Sequence, residues 1–397
     1  MRRVLVAARE RRRVVPTFPG EALAVSRPLA SAQALARVAE LDGIRGIAIL
    51  LVLAHHFGTP ACPRGILNDI LAFGWVGVDL FFVLSGFLIT GILLDSKDKP
   101  DYFRRFYLRR VFRIFPVYYA YLILVFHILP LTARLTGRLS SFEYDLSGEG
   151  WYWAYLSNWR SIFHQNVHLT HFWSLSIEEQ FYIVWPLVLY LVPTRALKYV
   201  CVSLAVLSPI LRLVAGHAGV SIYFLYRTTP FRLEGLALGA LLALATRDVM
   251  LHKRITKLIR WWPTGAAVLA GVVIWSGPSN FNSTMEIYGY PVIAVLCWAL
   301  VSWGVIQAGG QGWFARLLRT SWLVRFGKYS YGLYVWHWLI AVVVRGWVLT
   351  ARDQSGLSWS LLPVALGVGI GVTYGVALLS WKLIEEPCAR LKERVAG

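Results

Sequence analysis

Two side chains in the segment ELDGIRGIAILLVLAHHF, residues 40–57, have the types and the spacing to carry chemistry. On a helix, the separation of eleven residues from Arg45 to His56 amounts to three turns plus roughly 20° and about 16 Å of rise, so both lie on one face. An arginine can hold a phosphate and a histidine can take a proton, and an extended acyl-pantetheine arm could bridge such a distance. A snorkelling interfacial arginine and a satisfied buried histidine are the structural alternatives. His55 points about 100° away and is predicted to pack or orient.

A second group lies in GVDLFFVLSGFLITG, residues 77–91. Asp79 is an acid in the middle of an apolar run, where a charge costs several kcal/mol and needs a partner. Ser85 and the glycine after it give a small surface that a backbone or a ligand can approach closely. Helix–helix packing at small residues is the alternative for Ser85.

Cationic and acidic pairs follow in two further segments. In FRRFYLRRVFRIFPVYY, Arg110 and Arg113 are three positions apart on one helical face and could cradle phosphates, although positive loop charge alone also explains them. In HFWSLSIEEQFYIVWP, Glu178 and Glu179 are adjacent and point about 100° apart. We therefore expect that they do not both face one cavity directly, and that one of them orients a histidine.

Three later segments add polar residues. Tyr334 and His337 in FGKYSYGLYVWHWLI share a helical face, with His337 near the middle of its span. Arg232 occurs beside Glu234 in FRLEGLALGALLA, and WKLIEEPCARL ends the last apolar segment with two glutamates.

Membrane helices must position these groups. Of the 397 residues, 57% are hydrophobic and 15% charged, whereas soluble domains carry about 25% charged residues. An ordinary soluble enzyme and a disordered chain are therefore excluded. A spanning helix needs about 20 apolar residues, which predicts an all-α bundle of about ten transmembrane helices. The predicted spans are residues 41–58, 70–94, 112–130, 173–193, 198–216, 231–247, 262–277, 288–308, 329–348 and 359–383.

The net charge of +19 sets the orientation. In a soluble protein it would suggest nucleic acid, but here it indicates cytoplasmic loops facing anionic lipid. With both termini cytoplasmic, 30 of the 40 Lys and Arg residues lie inside and nine outside. We expect an integral protein of the cytoplasmic (inner) membrane with no nucleic-acid partner.

Outside the spans, residues 1–39 form an Arg-rich extension that is predicted to be a cytoplasmic tail, to which we assign no role. Residues 131–172 form a long outer loop that could cover an opening on that side. The membrane domain covers residues 40–394. The four cysteines form no C-x-x-C pair, so neither a metal site nor a disulfide framework is expected.

The absence of several well-known motifs narrows the range of reactions that the chain could catalyse. The chain lacks a P-loop, H-E-x-x-H, G-x-S-x-G and a Rossmann glycine fingerprint. A membrane cavity with histidines, carboxylates and a cationic mouth suits transfer of an activated group from a charged donor, or proton-coupled transport of a polar solute. A scaffold without a site would leave Asp79, His56 and His337 unexplained.

Six segments in the same order resemble the membrane-bound acyltransferase type-3 family over about residues 40–394. They are LDGIRGIAILLVLAHH, VGVDLFFVLSGFLIT, LRRVFRIFPVYY, FWSLSIEEQFYIVWP, SYGLYVWH and the closing EEP. The resemblance implies an acyl-CoA (acetyl-CoA) co-substrate, no tightly bound cofactor, and O-acylation, most often acetylation, of a carbohydrate or carbohydrate-bearing acceptor.

The family's Arg-x10-His motif falls on Arg45 and His56, its paired arginines on Arg110 and Arg113, and its S-G-F stretch on residues 85–87. Some members carry a C-terminal extracytoplasmic hydrolase-like domain. This chain ends at Gly397 on the predicted cytoplasmic side, so we expect no such domain. Either the membrane part completes the transfer, or a separate extracytoplasmic partner does.

These observations combine into one hypothesis for the site. The donor phosphates bind Arg110, Arg113 and Arg45, and the thioester reaches His56. His56 acts as general base on an acceptor hydroxyl, or accepts the acyl group itself. A carboxylate, Glu178 or Asp79, orients a histidine or balances its charge. The remaining candidates are the catalytic residues Glu178, Asp79 and His337 and the cavity residues His55, Ser85, Glu179, Tyr334 and Arg232.

Overall fold

A computed structural model describes residues 38–136, 148–163, 169–279, 282–355 and 360–396. Every regular element in these ranges is helical. The helices are α1 (Ala39–Ala61), α2 (Ile66–Ala72), α3 (Gly77–Leu94), α4 (Tyr102–Ile123), α5 (Leu129–Leu135), α6 (Glu149–Trp153), α7 (Ser157–Phe163), α8 (Phe172–Leu191), α9 (Thr194–His217), α10 (Ile222–Arg227), α11 (Leu233–Ala245), α12 (Val249–Ile259), α13 (Trp262–Ser276), α14 (Tyr290–Ile306), α15 (Trp313–Leu318), α16 (Ser321–Lys328), α17 (Ser330–Ser355), α18 (Leu361–Ser380) and α19 (Glu386–Ala396). The predicted tail, except its last two residues, lies outside the described ranges.

The predicted membrane helix bundle is confirmed, and a helix falls on each of the ten predicted spans. By length and composition, seven helical stretches in the described ranges are long and apolar enough to cross a membrane, or eight if the bent pair α12 and α13 counts as one span. The other two predicted spans correspond to α8 and α11. At 13 residues α11 rises only about 20 Å, short of the roughly 30 Å hydrocarbon core.

Helix α9 shows how the sequence is arranged for lipid. Its buried residues are Leu197, Cys201, Ser208 and Arg212, which recur at helical spacing on one face. The opposite faces expose large apolar side chains such as Val206 and Leu211. Apolar residues outside and polar residues inside are the pattern expected of a helix whose solvent is the bilayer.

Small residues bring the central helices into backbone contact. Gly86 on α3 lies against the carbonyl of Leu236 on α11, and Gly239 on α11 lies against the carbonyl of Val83. A Cβ atom at either glycine would overlap the facing backbone. The two helices therefore approach as closely as small-residue interfaces in membranes allow, and α3 is held with its polar residues at fixed heights.

Helix α1 is contacted in the same way from several sides. Gly43 and Gly46 lie against main-chain carbonyls of the segment that contains α15 and α16, while Gly74 and Gly77 lie against carbonyls of α1 itself. Gly327 on α16 contacts the carbonyl of Asp42. Because α1 carries Arg45 and His56, these close contacts fix the helix on which the candidate site is built.

The predicted outer loop contains the two short helices α6 and α7, and its residues 137–147 and 164–168 lie outside the described ranges. Tyr118 and Tyr119 on α4 donate hydrogen bonds to the main-chain carbonyls of Tyr152 and Trp153. Tyr155 stacks on Tyr118 with the ring centroids 4.1 Å apart, and burial raises the pKa of its phenol. This part of the loop therefore packs onto the bundle.

Candidate active site

A cavity of about 420 Å³ lies among α1, α3, α4, α8, α17 and the α18–α19 junction. Seven of the residues predicted from the sequence line it: Arg45, Ser85, Arg110, Arg113, Glu178, Glu179 and Tyr334. They come from five helices that are far apart in the sequence. The structure therefore brings together the arginines and the glutamates that the motif analysis singled out.

The arginines give one part of this cavity a strong positive charge. Arg45 lies nearly two turns into α1 and forms a 2.7 Å ion pair with Asp42, and both residues line the cavity. Arg110 lies over the ring of Tyr182, with its guanidinium carbon 4.8 Å from the ring centroid. Together with Arg113 and Lys328, which also line the cavity, these groups form a site where several phosphate oxygens could bind through charge-assisted hydrogen bonds.

The two adjacent glutamates of α8 both line the cavity, so the expectation that they cannot share one cavity is wrong. The cavity extends along the flank of α8, and side chains 100° apart on a helix can both border a space that wide. Glu178 accepts hydrogen bonds from Ser85 Oγ at 3.0 Å and from the Tyr182 hydroxyl at 2.8 Å. These two bonds hold its carboxylate between α3 and α8.

Tyr334 forms part of the cavity wall that faces the histidines. Its hydroxyl lies 2.6 Å from Ser174 Oγ, and it donates a hydrogen bond to the carbonyl of His171 at 3.0 Å. The ring centroid of Tyr334 is 5.3 Å from that of His337 and 5.9 Å from that of His171. Tyr334 thus borders the arginine-lined cavity and also contacts a histidine cluster.

That cluster contains His55, His56, His171 and His337. The ring centroid of His56 lies 4.8 Å from that of His55 and 4.9 Å from that of His337, and the centroids of His337 and His171 are 5.2 Å apart. His171 is 4% exposed and His337 is fully buried. His56 and His337, both predicted to be catalytic, are therefore in contact, but neither is among the residues that line the cavity.

Main-chain carbonyls orient three of these rings. Because a carbonyl oxygen can only accept, the ring nitrogen that faces it carries the proton. His56 Nδ1 donates to Val52 at 2.8 Å, His337 Nδ1 donates to Tyr334 at 2.6 Å, and His171 Nε2 donates to Val335 at 3.3 Å. In neutral His56, the nitrogen with a free lone pair is therefore Nε2, as a general base requires.

The sequence analysis missed two residues of this region. His171 opens the quoted segment HFWSLSIEEQFYIVWP, but only its glutamates were singled out. Glu385 lines the cavity from the closing EEP motif, which was noted without a role. In both cases the signal was present in the motif, but only tertiary structure shows which other helix the residue faces.

Asp79 and Arg232 lie outside the cavity, in a separate buried ion-pair network. Asp79 accepts a 2.8 Å hydrogen bond from Arg232. Glu234 accepts hydrogen bonds from Arg212 at 2.5 Å and from Ser208 at 2.6 Å. This network ties α3 and α9 to α11 and the segment just before it, and each acid has the partner that a buried charge needs.

The hypothesis that Glu178 or Asp79 orients a histidine does not match these contacts. Glu178 is bound to a serine and a tyrosine, and Asp79 is bound to an arginine. Each carboxylate already accepts hydrogen bonds from side chains other than a histidine. Within the described ranges, no group of three His, Cys, Asp or Glu residues has the arrangement to hold a metal ion.

Comparison with known proteins defines the class. A family model described as an acyltransferase domain matches residues 38–381. The chain therefore belongs to this acyltransferase family, and with its apolar helices it is an integral membrane protein. Family membership favours acyl transfer over the transport alternative.

Curated relatives are similar to this chain over most of its length. The peptidoglycan O-acetyltransferase OatA of Listeria monocytogenes is 27% identical over 380 residues, which cover 88% of this chain and 55% of the relative. The O-acetyltransferase OatA of Staphylococcus aureus (strain NCTC 8325 / PS 47) is 28% identical over 373 residues, covering 87% of this chain and 56% of the relative. The chain spans about half the length of these relatives. No solved structure matches it.

Proposed function

We propose that the protein transfers an acetyl group from acetyl-CoA to a hydroxyl of a cell-envelope saccharide. The observation that carries this proposal is the cavity that joins three arginines to the wall of a histidine cluster. The arginines suit the phosphates of a nucleotide-bearing donor. The names of the relatives, O-acetyltransferases and in one case a peptidoglycan O-acetyltransferase, support acetate as the group and a saccharide as the acceptor.

The donor would lie with its phosphates against Arg45, Arg110 and Arg113, and its pantetheine arm along the cavity. The rise between Arg45 and His56 is about 16 Å along α1, which an extended arm can cover. Its thioester would then lie at Tyr334, next to the histidines. In this arrangement the charged end stays at the arginines and only the uncharged acyl end goes deeper, which avoids the cost of burying phosphate.

His56 is the general base in this mechanism. Its Nε2 takes the proton of the acceptor hydroxyl while the hydroxyl oxygen attacks the thioester carbonyl carbon. The carbon–sulfur bond then breaks, and the thiolate of coenzyme A takes up the proton from His56. The products are an ester of the saccharide and free coenzyme A, so the enzyme returns to its starting protonation state.

The test compares His56→Ala with His217→Ala in purified, detergent-solubilised protein. His217 is exposed on α9 and makes the same type of bond, from Nδ1 to the carbonyl of Leu213 at 2.8 Å. Released thiol and ester-linked acetate on peptidoglycan fragments are measured together. We expect His56→Ala to lower the rate by about 10²- to 10⁴-fold and His217→Ala to leave it unchanged. Near-normal acetylation by His56→Ala refutes the assignment.

A further inference from the structure

We infer that His171 and His337 act with His56 as one set of bases, so that the proton taken from the acceptor is shared among three imidazoles instead of being balanced by a carboxylate. This inference rests on the proposed function. His171 and His337 are positioning residues in it, since they act through His56 and not on the substrate.

The tautomers of the three rings carry the argument. Each ring donates its one proton to a main-chain carbonyl, namely that of Val52, Tyr334 or Val335. What remains on each neutral ring is a nitrogen with a free lone pair. These nitrogens are His56 Nε2, His337 Nε2 and His171 Nδ1, and the last two are buried without a hydrogen-bond partner.

Two neutral imidazoles that both present lone pairs cannot hydrogen-bond to each other, so the resting cluster lacks a donor. A buried acceptor without a donor is costly, by about 1–3 kcal/mol in proteins. One added proton lowers this cost, because a protonated His56 Nε2 can donate to a lone pair on one of the neighbouring rings. The ring centroids of His55 and His337 lie 4.8 and 4.9 Å from that of His56, and the centroid of His171 lies 5.2 Å from that of His337, so the rings are in contact.

The same arrangement disfavours a second proton, since two imidazolium rings in contact repel each other in a medium of low dielectric constant. The cluster is therefore set to take up one proton and to release it. In the reaction, that proton comes from the acceptor hydroxyl as the new carbon–oxygen bond forms, and it leaves to the thiolate of coenzyme A. No oxidant or further reactant is needed.

The surroundings of the cluster explain why histidines are used for this role. The carboxylate of Glu178 is bound to Ser85 and Tyr182, and that of Asp79 is bound to Arg232. A carboxylate beside His56 would favour the protonated ring even before the acceptor binds, whereas neutral imidazoles stabilise the proton only while it is present. A base that must be neutral at the start of each turnover therefore works better beside neutral imidazoles than beside a carboxylate.

Two substitutions test the set of three histidines while keeping their hydrogen bonds to main-chain carbonyls. His171→Gln places an amide N–H where Nε2 donates to Val335 and removes the Nδ1 lone pair. His337→Asn places an amide N–H where Nδ1 donates to Tyr334 and removes Nε2. His217→Gln is the matched control at an exposed histidine. The measurements are kcat and KM for acetyl-CoA with peptidoglycan fragments, acetyl-CoA affinity, and the thermal unfolding temperature.

We expect each of the two variants to lower kcat at least 10-fold, with KM for acetyl-CoA unchanged because neither residue lines the cavity. The unfolding temperature should not fall, because each variant keeps its hydrogen bond to a main-chain carbonyl. Since the three rings act as a unit, His171→Gln combined with His337→Asn should cost little more than the worse single variant. An unchanged kcat in both single variants overturns the inference, as does a loss that only follows a lower unfolding temperature.

The outcomes separate the inference from the proposed function. If His56→Ala is inactive while His171→Gln and His337→Asn are fully active, the inference fails and the general base stands. If His56→Ala retains normal activity, the proposed function itself fails. Should one of the two substitutions prevent folding, the other decides, because each approaches the cluster from a different helix.

Discussion

The hydroxyl of Tyr334 lies 2.6 Å from Ser174 Oγ, and both residues line the cavity at the place where Tyr334 also contacts His171 and His337. Tyr334 belongs to α17 and Ser174 to α8, so the wall is made by two helices that meet at their polar side chains. An acyl group that reaches this wall meets the ring of Tyr334, which packs against the rings of His171 and His337. The wall is therefore the element of the structure that would limit the length of the transferred group.

Replacing Tyr334 with a smaller side chain should change which length of acyl-CoA donor the protein prefers. Tyr334→Leu removes the ring edge and the hydroxyl, and we expect the ratio of kcat/KM for butyryl-CoA to that for acetyl-CoA to rise about 10-fold. Two further methylenes are worth roughly 1.6 kcal/mol when buried, which corresponds to that factor. The measurement is thiol release with each donor.

Tyr288→Leu is the control for this change, because Tyr288 is exposed and does not line the cavity. It should leave the ratio as it is in the unaltered protein. An equal ratio in the Tyr334→Leu variant would show that the wall does not set the acyl length.

The arginines should act on the phosphates and not on the acyl arm. Arg113→Gln removes a charged donor from the cavity, and we expect KM for acetyl-CoA to rise roughly 10- to 100-fold, as hydrogen bonds to charged groups are worth about 1.5–3 kcal/mol. KM for acetyl-pantetheine, which lacks the nucleotide and its phosphates, should not change. The two donors are compared by thiol release.

Arg104→Gln is the matched control for this prediction, since Arg104 is an exposed arginine of the same helix that does not line the cavity. It should behave like the unaltered protein with both donors. An equal rise of KM for both donors in Arg113→Gln would argue against phosphate binding at this position.

The buried ion pair of Asp79 and Arg232 should contribute to stability. Asp79→Asn leaves the guanidinium, which is 1% exposed, without its charged partner. Breaking a buried pair in this way costs about 3–5 kcal/mol, so we expect a clear loss of unfolding free energy in detergent. Asp101→Asn breaks the half-exposed pair with Arg105 and should cost less than about 1 kcal/mol. Equal losses for the two variants would contradict the structural role of the network.

The contact of α3 and α11 should not tolerate a methyl group. Gly86→Ala would place Cβ against the carbonyl of Leu236, and we expect the unfolding free energy to fall by about 1–3 kcal/mol, as for other overpacked sites. At Gly271 nothing lies within 4 Å of an added Cβ, so Gly271→Ala should be neutral or slightly stabilising. Thermal unfolding of both variants measures the difference, and no loss for Gly86→Ala would rule out a tight backbone contact.

The sequence was informative about the helices because bilayer thickness and apolar length are directly related. It could also place Arg45 and His56 on a single helix, but Arg45 lines the cavity and His56 does not. It could not show that Glu178 and Glu179 share a cavity, because the width of that cavity depends on neighbouring helices.

Residues that act across helices were harder to predict. Asp79 needed a cationic partner, as expected, but the partner is Arg232 and not a histidine. His171 lies next to His337 only because α8 and α17 meet at Tyr334. The helix-to-helix register that decides such contacts comes from packing at glycines, for which the linear order of residues gives no direct measure.

The glycine contacts around α1 have a consequence for the choice of substrate. Arg45 and His56 lie on one helix, and neighbouring segments contact its backbone closely. Thermal motion of the bundle therefore leaves the distance between the two side chains nearly constant. The helix then sets a fixed distance between the guanidinium and the imidazole. An acyl donor whose arm is shorter than the pantetheine of coenzyme A would bind at the arginines, but its acyl group would not reach His56.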